Sequence, residues 1–83
     1  QHASSYYISA SPNPASTNIA FDFSKDQFEY ASLTIRTVDG RTVLVNNKIT
    51  STENINIGFL PAGIYLCSIK TKANSYIVKI VKN

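Results

Sequence analysis

The chain reads as an all-β protein, a β-sandwich of seven short strands, on three observations. Its apolar residues fall in short runs rich in Val, Ile, Tyr and Phe. Gly, Pro, Asn, Asp and Ser separate these runs, and no stretch repeats at the spacing of a helix. Inside several runs apolar and polar residues alternate, the mark of a strand with one face buried. Runs of this number and spacing favour two packed sheets.

The first run, Tyr6 to Ala10, stops short of Pro12 and Pro14, which cannot donate to a strand ladder, so the chain is expected to cross to the other sheet there. The second, Asn18 to Phe23, sets Ile19, Phe21 and Phe23 against Asn18, Ala20 and Asp22. In the third, Ala31 to Val38, Leu33 and Ile35 oppose Ser32, Thr34 and Arg36. Asp39-Gly40 then predicts a tight type I′ hairpin with positive φ at both residues, opening the fourth strand, Thr42 to Val45. The fifth, Asn54 to Ile57, turns Ile55 and Ile57 to one side. The sixth, Gly63 to Thr71, and the seventh, Ser75 to Val81, are apolar on both faces for part of their length, as strands are that sit centrally or keep a face for a partner. Ala73-Asn74 closes the last hairpin, with Asn74 expected in the left-handed conformation.

Composition narrows the function classes. With 43% hydrophobic and 16% charged residues, 83 residues make one folded domain rather than a disordered chain. Cys67 is the only cysteine and His2 the only histidine, which excludes an internal disulfide and leaves no metal-ligand set. No apolar run reaches the length of a membrane-spanning helix, and the first residues lack the charged start and apolar stretch of a signal peptide. The chain does not begin with methionine, and we read it as part of a longer precursor. Net charge is +3, and every charged residue after Glu53 is a lysine: Lys70, Lys72, Lys79 and Lys82. If the last two strands pair, these lysines are expected to gather on one edge, where they would discourage aggregation or steer an anionic partner.

Catalysis has little to work with. The five carboxylates, Asp22, Asp26, Glu29, Asp39 and Glu53, are scattered through turns and outward positions, so a paired acid and base has no local support. There is no phosphate-binding glycine loop and no calcium-binding aspartate cluster, and no cofactor is expected. The tyrosines lie in core-like alternation, which argues against a nucleic-acid stacking surface. Three motifs remain. Pro12-Asn13-Pro14 makes a rigid strand-end turn, since each proline restricts its own φ and that of the residue before it. Leu60-Pro61-Ala62-Gly63 reads as a corner between sheets with Leu60 plugging the core. Tyr65 and Cys67 follow at the spacing of a tyrosine corner, so Tyr65 is expected to bond backbone near that corner and Cys67 to be a buried, inert thiol.

Taken in order, Pro12-Asn13-Pro14-Ala15, Ile19 and Phe21, Leu33 and Ile35, Asp39-Gly40-Arg41 with Val43, Leu60-Pro61, Gly63 and Tyr65, and Lys79, Val81 and Lys82 span almost the whole chain. This series resembles the type A C-terminal sorting domain of the Bacteroidetes type IX secretion system. The chain departs from that pattern at Ser11, where the family often carries an aromatic, and in the direct contact of Asp39 with Gly40.

The resemblance implies a seven-stranded immunoglobulin-like β-sandwich that acts as an address and carries no catalysis of its own. It implies passage through the periplasm, recognition by the type IX outer-membrane translocon and its shuttle proteins, and delivery to the cell surface, the outer membrane or the medium. It further implies that the domain is usually removed by a sortase-like cysteine peptidase that attaches the cargo to anionic lipopolysaccharide, with cleavage in or before the linker at residues 1–5 and the folded sorting domain at 6–83, while some members keep the domain and serve the translocon itself. The expected recognition element is the terminal strand, Lys79, Ile80, Val81, Lys82 and Asn83, with Gly63 and Tyr65 beside it. A free edge there would offer backbone groups for strand addition, including by a second copy of the chain. The alternative reading is an immunoglobulin-like or fibronectin type III-like module for adhesion or carbohydrate binding.

Overall fold

The computed structural model describes residues 8–23 and 29–83. Among them are seven strands and no helix: β1 (Ser9–Ser11), β2 (Asn18–Asp22), β3 (Tyr30–Thr37), β4 (Thr42–Thr50), β5 (Ile55–Asn56), β6 (Gly63–Lys70) and β7 (Ser75–Lys82). They form two antiparallel sheets, one of three strands in the order β1-β2-β5 and one of four in the order β4-β3-β6-β7. Tyr6 and Tyr7, expected in the first strand, and the linker at residues 1–5 lie outside the described residues.

Alternation places the core where the sequence predicts. Ile19, Phe21 and Phe23 from one sheet region meet Leu33, Ile35, Cys67, Ile69 and Ile80 from the other in a single buried cluster. Leu60 closes it at 5% exposure, in line with its expected role as a plug. Burying these side chains stabilises the fold by about 1.5–3 kcal/mol each. The expected crossing to the other sheet at the prolines is only momentary: β1 ends at Ser11 and Ala15 bridges to Lys82 of the four-stranded sheet, but β2 pairs with β1 in the same three-stranded sheet.

Three local expectations are corrected. The fourth strand, expected to end at Val45, runs on to Thr50, with Asn47 and Lys48 at a bulge opposite Ser32. Ala31 pairs with Ile49 while Leu33 pairs with Asn46, so β4 carries an extra residue there and the alternation that marks a strand is interrupted. The β3–β4 connection is not a two-residue type I′ turn. Gly40 N donates to Thr37 O at 2.9 Å, Gly40 alone takes positive φ (96°), and Thr37 N donates to Arg41 O at 2.9 Å, which makes a three-residue loop of Val38, Asp39 and Gly40. Asn74 is not left-handed either. Instead the Thr71 hydroxyl accepts from Ala73 N at 3.3 Å and Asn74 N at 3.0 Å, and Thr71 N donates to Asn74 O at 2.9 Å, so a side-chain-capped turn joins β6 to β7.

Candidate functional site

The residues expected to carry the signal converge on β7, which forms one edge of the four-stranded sheet. On its inner side β7 pairs with β6 along its whole length, from Lys70–Ser75 to Gly63–Lys82. On its outer side the last residues are not free. Val81 N donates to the Asn13 side-chain oxygen at 3.0 Å, and the Asn13 amide donates back to Lys79 O at 3.3 Å. Ala15 N donates to Val81 O at 2.8 Å, and Asn83 N donates to Ala15 O at 2.8 Å. The expected free edge at Lys79–Asn83 is therefore covered by the Pro12-Asn13-Pro14-Ala15 segment.

The physical reason lies in the segment's chemistry. Proline offers no N–H, so Asn13, placed between two of them, presents its amide, which imitates a peptide group by donating once and accepting once. Ala15, fully buried, supplies the real peptide group one step further on. Both flanking bonds, Ser11–Pro12 and Asn13–Pro14, are cis. Two residues further up, around Ile77, β6 is the only strand partner among the described residues.

The lysines do not gather on one edge. Lys79 is exposed on the outer face of the sheet beside Leu66, whereas Lys82 points the other way, is 7% exposed, and donates from Nζ to Asn83 O at 2.8 Å. Ile80 faces inward between them and is fully buried. Lys70 lies opposite Ser75 at the far end of β7, near Lys72 in the turn, where both line a shallow groove with Tyr30.

Gly63 pairs with Lys82 and Tyr65 with Ile80, so both sit beside the terminal residues across β6. The Tyr65 hydroxyl donates to Pro61 O at 2.6 Å, the bond expected of a tyrosine corner, and fixes the Leu60–Pro61 corner to β6. Asp39, Gly40 and Arg41 occupy the β3–β4 loop. There the Thr37 hydroxyl donates to the Asp39 carboxylate and accepts from Arg41 N at 3.1 Å, and the first of these holds Asp39 below its ordinary value of 3.8. This loop is apart from β7's outer edge and braces the hairpin. Cys67 is fully buried, and burial pushes its thiol up to about 12, which leaves it inert at neutral pH. No group of three or more potential metal ligands occurs among the described residues.

A family model described as the secretion system C-terminal sorting domain matches residues 9–83, from the first residue of β1 to the residue after β7. The chain belongs to this family. It is thus a C-terminal sorting domain of the type IX secretion type, an all-β chain tied to export toward the outer membrane or cell surface. No curated protein matched it. Sequence reasoning named the first and last motifs of the sorting domain separately and missed that they form one hydrogen-bonded unit. The one available signal was Asn13 between two prolines, a side chain that must find partners where its neighbours cannot supply them.

Proposed function

We propose that this domain is the signal by which a larger exported protein is selected by the type IX translocon, and that the signal is a folded surface rather than a loose C-terminal peptide. The observation that carries this reading is the junction of Asn13–Ala15 with Lys79–Asn83, which ties the two ends of the family's motif series into one edge of one sheet. A terminal peptide held by β6 on one side and Asn13–Ala15 on the other is available to a receptor only as part of that edge. The strand order β1-β2-β5 and β4-β3-β6-β7, with a tyrosine corner at the start of β6, supports an immunoglobulin-like β-sandwich.

In this reading the domain itself performs no catalysis. It passes through the periplasm, is handled by the translocon and its shuttle proteins, and reaches the cell surface. A sortase-like cysteine peptidase then cuts before the folded part and attaches the cargo to anionic lipopolysaccharide. The test is to fuse these residues behind an exported fluorescent protein in a type IX-competent bacterium. Surface fluorescence that disappears in a translocon-deficient strain is the expected result, and periplasmic retention in both strains would sink the proposal.

A further inference from the structure

All charged residues on the four-stranded sheet are cations: Arg36 on β3, Lys48 on β4, Lys70 on β6, and Lys79 and Lys82 on β7. The chain's described carboxylates lie on β2, ahead of β3, or in the β3–β4 and β4–β5 connections. The outer face of this sheet also keeps large apolar side chains in solvent, with Ile77 at 72%, Val45 at 58%, Ile64 at 47% and Leu66 at 37% exposure. Register places them together. Val45, Thr34, Ser68 and Ile77 form one cross-strand row, and Arg36, Leu66 and Lys79 form the next. Arg36 and Lys79 therefore flank Leu66 two strands apart, at about 10 Å for a strand spacing of about 4.8 Å.

We infer that the outer face of the four-stranded sheet is the docking surface of the sorting domain, and that it receives a protein surface with an apolar centre and carboxylates around it. The inference rests on the sorting reading above and names which face is read. Charge complementarity selects the occupant. A second copy of the chain would oppose Arg36 and Lys79 with its own cations, which disfavours self-association through this face. Phosphate binding calls for donors converging on one group, whereas these cations are separated by Leu66 and suit two separate carboxylates over an apolar middle. Contiguous apolar side chains within a polar frame are the usual anatomy of a protein-binding surface.

The test uses the fluorescent cargo fused to the whole chain, comparing R36Q/K79Q and Ile77→Thr with S9E/N18E, which makes the same change in net charge on exposed positions of the three-stranded sheet. Thermal unfolding of each fusion checks that the domain stays folded. The expected result is a surface signal about tenfold lower for R36Q/K79Q, a smaller loss for Ile77→Thr, and no loss for S9E/N18E. Surface delivery of R36Q/K79Q and Ile77→Thr at the level of the unmodified fusion overturns the docking face while leaving the sorting reading intact. Failure of the unmodified fusion to depend on the translocon overturns the sorting reading itself. Equal loss in S9E/N18E assigns the effect to net charge and also overturns the face. A further arm mixes the fusions with phosphatidylethanolamine vesicles with and without anionic lipopolysaccharide. Lipopolysaccharide-dependent binding that R36Q/K79Q abolishes would overturn the protein partner in favour of a glycolipid.

Discussion

The two halves of β7 have similar composition and opposite fates. Tyr76-Ile77-Val78 and Ile80-Val81-Lys82 each set two adjacent aliphatic residues beside one amphipathic side chain on an edge strand. Yet Ile77 stands 72% exposed with β6 its only strand partner among the described residues, while Ile80 is fully buried and the residues around it are bonded on both sides. Ile77 and Ile80 lie on opposite faces of the strand, which sets their exposure, but the closing of the backbone edge comes from a segment more than sixty positions away in sequence: Asn13 reaches Lys79 and Val81 across separations of 66 and 68 residues. An edge strand's own pattern decides which side chains turn inward. Whether its backbone edge is open is decided by whatever else the chain brings alongside.

The sharpest way to break this comparison is through the side chains themselves. Ile80→Ala should lower the unfolding free energy by about 3 kcal/mol, as for other large-to-small changes at fully buried aliphatic sites. Ile77→Thr should stay within about 0.5 kcal/mol, as for other surface substitutions. Chemical denaturation of both variants measures the contrast, and equal effects would mean that Ile77 and Ile80 do not lie on opposite faces of β7.

A smaller effect tests the covering segment. Asn13→Ala removes two hydrogen bonds to β7 and should cost about 1–2 kcal/mol. Its sharper signature is local: the Val81 amide, protected by Asn13, should exchange with solvent faster in the variant, while the Ile77 amide should be unchanged. Unaltered protection at Val81 would show that Asn13 does not hold the edge closed.

The smallest expected effect lies away from β7, in the β3–β4 loop. The Thr37 hydroxyl bond favours the ionised form of Asp39, so its folded value lies below the ordinary 3.8. Stability from this group is therefore present above that ordinary value and is lost as pH falls through the lower folded one. Thermal unfolding between about pH 5 and pH 2 should fall slightly more steeply for the parent chain than for Asp39→Asn. Asp39 is fully exposed, so solvent screening keeps the difference small.

Much of the fold was legible because strand alternation is a local signal. Ile19, Phe21, Leu33, Ile35, Ile55 and Ile57 are buried as their spacing predicts, and the tyrosine-corner spacing anticipates the Tyr65–Pro61 bond. The extension of β4 beyond Val45 was hidden because Asn46 and Asn47 break the run of apolar residues, and only the facing strand shows that pairing continues to Thr50. Turn types were misassigned at Asp39 and Asn74 for a related reason. Thr37 and Thr71 hydroxyls took over backbone groups that residue preference would have left to left-handed residues.

By itself the sequence determined the all-β class, the inward faces, the corner at Leu60–Tyr65 and the ordered motifs that mark a sorting domain. Those features depend on side-chain polarity and on residues near in the chain. Only the tertiary structure decided that Asn13–Ala15 closes the edge of Lys79–Asn83, that Lys82 turns inward while Lys79 turns out, and that Arg36, Leu66 and Lys79 share one row. These depend on hydrogen bonds and strand register between distant segments, and such pairings are set by the whole sheet at once rather than by any one stretch of sequence.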